Sequence, residues 1–380
     1  MTDETILTNA FLVLPDEVIH GTLVIRDGRI AEIQPGRSHA AGAEDLDGDH
    51  LIPGVVDVHT DNLERQVQPR QNARWPSRSA MIAHDAQCAA AGVTTVFDAL
   101  CLGDLGFDQG RGQTFLDGVA DLDALADTGV LRSEHFLHLR CELPAADMVP
   151  ALDPVGDHPL VRMISLMDHS PGVGQYRDIP RYVAMRRKQT SMTVEQVQGR
   201  IDDLLAQRER LREPQRAWLL NRIRHRNLPI ASHDDDSPDE VRRNLADGIA
   251  ISEFPVAMEA AMAARDAGVA VIAGAPNIVR GGSHSGNVSA ADLVRAGAAD
   301  AFASDYVPAS MIEAAWRTVE QTGISLPAAV AMIAEAPARM ARLSDRGRLE
   351  AGLRADLVQA RPVQGIPVVR RVWREGNRVA

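Results

Sequence analysis

Val55-Val56-Asp57-Val58-His59-Thr60-Asp61 is a β-branched apolar run that closes in an alternation of acids and an imidazole. Successive side chains of a strand point to opposite faces, so Asp57, His59 and Asp61 share one face. Runs of this kind recur along the chain at Val55 to Val58, Thr94 to Phe97, Phe136 to Leu139 and Met163 to Met167. Four more follow at Pro229 to Ser232, Gly248 to Ser252, Val269 to Ala273 and Ala301 to Ala303. Longer amphipathic stretches separate them. Short apolar strands alternating with helices make a parallel sheet covered on both faces, and eight such units predict a (β/α)8 TIM barrel over residues 54–343.

The polar residues fall where such a barrel does its chemistry, at the carboxyl ends of its strands. The third run ends His138-Leu139-Arg140-Cys141-Glu142, the fourth Asp168-His169 and the fifth His233-Asp234-Asp235-Asp236. The sixth closes on Glu253, the seventh leads to Asn277 and Arg280, and the eighth ends Ser304-Asp305. Imidazoles and carboxylates without clustered thiolates suit Zn²⁺ or a similar divalent ion. Each residue also has a plainer reading. A lone histidine after a strand is commonly a hydrogen-bonded loop residue, Asp235 can cap a helix starting near Ser237-Pro238, and Glu253 can pair with an arginine. Convergence of so many strand ends on one rim carries the metal expectation.

Both termini have a different rhythm. Thr5 to Val13, Gly21 to Arg26 and Arg29 to Ile33 are strand-like, with Asp27-Gly28 as a hairpin signal, and so are Asp356 to Gln359 and Pro367 to Trp373. Residues 1–53 plus 344–380 are therefore expected to build one small β-sandwich domain. The segment from Val183 to Asn227 is helical and rich in arginine (Arg186, Arg187, Arg200, Arg208, Arg210, Arg212). Such a charge run predicts a solvated helix face.

Composition narrows the function. Of 380 residues, 40 are Lys or Arg and 52 Asp or Glu, a net charge of −12 that argues against nucleic-acid or anionic-membrane partners. Forty-five per cent hydrophobic and 24% charged residues are ordinary globular values. Three cysteines (Cys88, Cys101, Cys141) make no disulfide framework or CxxC pair. Met1 to Asp16 lacks the positive start of a signal peptide, so a reduced, cytoplasmic setting is expected. Only one lysine, Lys188, is present.

At these residues the chain resembles the amidohydrolase superfamily. The Leu51-Ile52-Pro53-Gly54 approach, the first-strand motif, the final Asp305 and the return Gly347-Arg348-Leu349-Glu350-Ala351-Gly352 with Ala355-Asp356-Leu357-Val358 carry the likeness. Within it the chain is similar to the PhnM diphosphatases of the carbon–phosphorus lyase pathway. That likeness rests on His59-Thr60-Asp61-Asn62-Leu63-Glu64, Leu166-Met167-Asp168-His169-Ser170-Pro171-Gly172 and Ser232-His233-Asp234-Asp235-Asp236. Glu253-Phe254-Pro255, Gly274-Ala275-Pro276-Asn277, Arg280 through Asn287 and Ser304-Asp305-Tyr306 complete the ordered set.

The resemblance implies hydrolysis of a ribose 1-methylphosphonate 5-triphosphate to the 5-phosphate and diphosphate. It implies one or two divalent ions, zinc by chemistry, held by His59, Asp61, Glu142, His169, His233 and Asp305, with Asp305 also the catalytic base. Most of the superfamily has His-x-His on the first strand, where this chain has Asp61. Many members bridge two metals through a carbamylated lysine after the fourth strand, but Lys188 lies well beyond it. Glu142 is the replacement by analogy, and the sequence leaves open whether it or His169 is the better ligand.

An anionic substrate in an acidic protein needs local cations. Arg280-Gly281-Gly282-Ser283-His284-Ser285-Gly286-Asn287 is the expected phosphate cradle, with Asn277 before it; its glycines allow N–H nests, and Arg280 and His284 add donors. A Gly/Ser-rich loop can equally be plain connection. Tyr176, Arg177, Arg186, Arg187 and Lys188 are a candidate second basic wall. The expected partner is a small phosphorylated ribose, with self-association into a homo-oligomer. A C–N hydrolase of the same superfamily and a catalytically silent barrel are the rivals.

Overall fold

The computed structural model describes residues 4–70, 73–106, 110–190, 192–283 and 286–380. Strands β1 (Glu4–Val13), β2 (Val18–Arg26), β3 (Arg29–Pro35), β4 (Glu44–Asp45) and β5 (His50–Pro53) precede the barrel. The barrel strands are β6 (Val55–Thr60), β7 (Val93–Leu102), β8 (Glu134–Glu142), β9 (Val161–Met167), β10 (Ile230–His233), β11 (Ile251–Glu253), β12 (Ala270–Gly274) and β13 (Ala301–Ala303). After them come β14 (Leu357–Val363), β15 (Ile366–Arg374) and β16 (Asn377–Arg378).

β6 to β13 lie in chain order, each parallel to the next. A parallel bridge between Thr60 and Asp305 closes the ring beyond the end of β13. Every residue of β6 and β7 is buried, which is why these strands read as continuous apolar runs. All eight runs seen in the sequence are barrel strands. The terminal strands form a second sheet ordered β16-β15-β14-β5-β1-β2-β3, mostly antiparallel, with β1 running parallel to β4 and β5. Leu7, Leu12, Leu23, Leu51, Leu357 and Trp373 form its core.

The two sheets meet at Pro53-Gly54. The Gly54 N–H donates to the Asp356 carbonyl at 2.7 Å. A Cβ there would lie 2.3 Å from Thr94 Oγ1 and 2.9 Å from the Asp356 Cβ. Gly54→Ala is therefore expected to destabilise the fold by about 1–3 kcal/mol through overpacking, read as a lower midpoint in urea unfolding.

The arginine-rich segment folds as helices Ile179–Gln189 and Val194–Ile223, the second opened by a capping box between Thr193 and Gln196. The solvated-face expectation fits Arg187 and Arg210, which are exposed, but not Arg186, Arg200, Arg208 or Arg212. Arg208 and Arg212 both donate to Asp168 Oδ2, at 2.7 and 2.8 Å, and Arg200 donates to the Leu105 carbonyl. Arg216 is buried between Asn244 and Asp247. The charges strap the helix across the barrel loops. Among the described residues no helix is long and apolar enough to cross a membrane.

A buried polar chain runs between the helix Ser77–Ala90 and the barrel wall. Asn62 Nδ2 donates to His84 Nδ1 at 2.9 Å, and His84 Nε2 lies 2.8 Å from Asp98 Oδ1. His135 Nδ1 is 2.8 Å from Asp98 Oδ2, and its Nε2 is 3.3 Å from Asp85 Oδ1.

Candidate active site

The inward face of β6 builds the floor. His59 is fully buried, and its Nδ1 lies 3.2 Å from Glu253 Oε1, which leaves Nε2 buried without a hydrogen-bond partner. His138, two turns of the pleat from Glu142 on β8, donates through Nδ1 to the Val58 carbonyl (2.8 Å) and meets Ser165 Oγ with Nε2 (3.0 Å). His59, His138 and Glu253 form one buried set of potential ligand atoms, and His169, His233 and Asp234 form a second, more open one. Burial, reinforced by the charges of Arg140 and His233, holds His59 well below its ordinary pKa and so neutral. Burial likewise lowers His138 to about 4.

Carboxylates crowd the same space. Burial and then the charge of Asp305 raise Asp61 to about 6, and burial raises Asp305. Asp57 lies deeper, raised to about 7 by burial, and accepts from the Ser304 N–H at 3.1 Å, which anchors the strand that delivers Asp305. Glu142 accepts from the His169 backbone N–H at 2.8 Å and pairs with His169 Nδ1 at 2.6 Å. Burial alone would raise Glu142, but His169 outweighs it and holds it low. His233 Nδ1 is 3.3 Å from Asp234 Oδ1 without the alignment of a hydrogen bond. Unpartnered buried imidazole nitrogens beside mutually repelling carboxylates fit a divalent cation, which would accept from the first and neutralise the second.

Three of these strand ends hold non-glycine residues in left-handed backbone: Asp234 (φ 59°), Phe254 (φ 53°) and Asp305 (φ 55°). Each is locked by a hydrogen bond to the neighbouring strand: Asp234 N to Glu253 O, Phe254 N to Ile272 O, and Asp305 N to His59 O. Strain of this kind persists only where surroundings over-determine it, and it gathers at functional sites.

Above the floor opens a cavity of about 520 Å³. Asp61, Glu142, His169, His233, Asp234 and Asp305 line it, and four arginines, Arg111, Arg140, Arg186 and Arg280, stand in its walls. Glu64 holds Arg111 at 3.3 Å, and the Arg186 guanidinium stacks on Tyr182 and Tyr176, 5.0 and 5.8 Å from the ring centres.

Of the substrate-side candidates, Asn277, Arg280 and Gly282 line the cavity. Lys188 is exposed and is not among the residues that line the cavity. The Gly281 and Gly282 N–H groups are spent capping the helix Ala275–Arg280, on the carbonyls of Ile278 and Asn277, so they form no open nest. Asn277 accepts from the Ala290 N–H at 3.1 Å and clips the loop, although it and Gly282 still line the cavity. His284 lies outside the described residues. Asp235 does not cap the helix: Ser232 and Asn244 donate to it, while Ser237 is the cap. Arg111, Arg140 and His138 are site residues absent from the candidates drawn from the sequence.

The chain is 39% identical over 376 residues to the alpha-D-ribose 1-methylphosphonate 5-triphosphate diphosphatase of Escherichia coli (strain K12), covering 98% of this chain and 100% of that protein. No protein-family model matches it. Among solved structures, N-acetylglucosamine-6-phosphate deacetylase from Pasteurella multocida aligns over 99% of both chains with a TM-score of 0.62 at 13% identity. The 5-methylcytosine deaminase of Klebsiella pneumoniae aligns over 99% of this chain and 97% of its own, with a TM-score of 0.65 at 15% identity. These two likenesses are of fold. The full-length sequence match goes further, and the chain belongs to the alpha-D-ribose 1-methylphosphonate 5-triphosphate diphosphatase family.

Proposed function

We propose that this protein hydrolyses alpha-D-ribose 1-methylphosphonate 5-triphosphate to the 5-phosphate and diphosphate, as a metal-dependent step of phosphonate catabolism. The observation that carries the reading is the placement of four arginines around a floor of imidazoles and carboxylates. A C–N substrate with a single carboxylate or phosphate would engage only part of that arginine set; a triphosphate and a phosphonate give it several anionic groups.

The ion is zinc in this reading. His59 through Nε2 and His169 through Nε2 are the imidazole ligands, because Glu253 and Glu142 occupy their Nδ1 atoms. That is the carboxylate–histidine–metal arrangement, which places Glu142 behind His169 as its orienting partner. His233, Asp61 and Asp305 complete the donor set. Bound zinc supplies charge compensation and a water of lowered pKa. Asp305 takes the proton of the attacking water, and the arginines hold the phosphate oxygens in line for displacement of diphosphate.

Zinc-loaded protein should release diphosphate and the 5-phosphate from this substrate, followed by phosphorus NMR. A chelator should abolish the signal and added zinc restore it. Absence of diphosphate together with turnover of an amide or cyclic imide would overturn the reading.

A further inference from the structure

Arg140 is the most enclosed of the four cavity arginines, with 7% of its side chain exposed. It occupies β8, two residues before Glu142, and period two places both on the face that meets the cavity. Its partners in the protein are poor ones for a buried cation. Nη1 lies 3.4 Å from Asp61 Oδ2, at the limit of a hydrogen bond and without a second parallel bond. Nε points at Met167 Sδ, 3.4 Å away, a weak acceptor. Among the described residues Asp61 is the one carboxylate within ion-pair reach of this guanidinium. Asp61 itself belongs to the donor set that fits a divalent ion. A buried guanidinium in that position is costly unless another planar anion completes its fork.

We propose that Arg140 is a catalytic residue that binds two non-bridging oxygens of the phosphoryl group under attack and sets the site's preference for phosphoanhydrides over amides. The inference rests on the diphosphatase reading. The oxygen of water bonds to the α-phosphorus, the α–β bridging P–O bond breaks, its electron pair leaves with diphosphate, and the water proton passes to Asp305. Charge accumulates on the equatorial oxygens during that exchange, where the Arg140 fork lies in wait. A donor aimed at developing charge contributes most in the transition state, so its loss falls on kcat rather than KM.

Arg140→Ala and Arg140→Lys test this, with metal content and thermal midpoint recorded for each. Both should keep wild-type metal stoichiometry while kcat falls about 10²–10³-fold. Guanidinium ion should restore part of the turnover of Arg140→Ala and leave Arg140→Lys unchanged, a response that a purely structural role does not give. Turnover within threefold of wild type, or metal lost in step with activity in Arg140→Lys, overturns the proposal. Calorimetric titration with inorganic diphosphate separates the two ideas. Should the wild type bind diphosphate yet not hydrolyse the triphosphate, the assigned activity fails; should the loss in Arg140→Lys fall on KM with kcat unchanged, Arg140 only binds substrate and its catalytic role fails. If Arg140→Ala does not fold, Arg140→Lys and the titration decide.

Discussion

Asp305→Asn is expected to lose about 10²–10⁴-fold in turnover, the range that a positioned general base contributes, with metal content nearly unchanged. The substitution isolates the proton-accepting role. Asparagine keeps the size of the side chain and one oxygen for a metal, but it cannot take a proton from water at neutral pH. It also tolerates the left-handed backbone at this position (φ 55°), where the N–H is tied to the His59 carbonyl and the carbonyl to the Asp61 N–H. Asp305→Ala should fail for a second reason, because alanine pays more for that conformation and weakens the bridge that closes the barrel. Steady-state release of diphosphate, alongside elemental analysis of both variants, checks the pair. Metal lost from Asp305→Asn in proportion to activity would make Asp305 chiefly a ligand.

The strand ends were readable because a barrel strand obeys two simple rules: apolar along its length and functional at its carboxyl end. His59, Asp61, His233 and Asp305 follow both, and all four converge. The same period-two argument that groups Asp57, His59 and Asp61 also groups His138, Arg140 and Glu142 within His138-Leu139-Arg140-Cys141-Glu142. Arg111 was beyond such reasoning. It opens the helix Arg111–Leu125, far from any strand end, and reaches the cavity through its contact with Glu64. The glycine-rich loop misled for a local reason. Composition shows that N–H groups can approach a ligand, but not that the preceding helix claims those of Gly281 and Gly282 for its own carbonyls. Lys188 differs from Arg186 because two residues are more than half a helical turn: Arg186 stacks on two tyrosines, and Lys188 is exposed.

Asp98→Asn is expected to cost about 3–5 kcal/mol of stability at neutral pH, since it removes the shared anion from a buried pair of imidazoles. Asp98 and the His135 side chain are at most 1% exposed. Burial alone would lower His135, yet the charges and hydrogen bonds of Asp98 and Asp85 outweigh it and raise the imidazole to about 9. A group whose pKa is raised on folding stabilises fully below its unfolded value, about 6.5, and that stabilisation is lost as pH climbs through the folded value. Wild-type stability should therefore fall between about pH 6.5 and 9 by on the order of 3 kcal/mol, from this residue. The sign is opposite to that of a carboxylate held low, such as Asp98, whose contribution is lost only on acidification. Asp98→Asn should flatten the alkaline slope, because His135 then has little reason to hold its second proton. Urea unfolding at pH 6.5, 7.5 and 9 measures both effects, and a wild-type curve flat over that range would show that His135 is neutral. The consequence reaches the site through Asn62, which follows Asp61 and donates to His84. Release of His84 by the substitution loosens the turn that presents Asp61, so Asp98→Asn should also weaken metal retention, though far less than direct loss of a ligand.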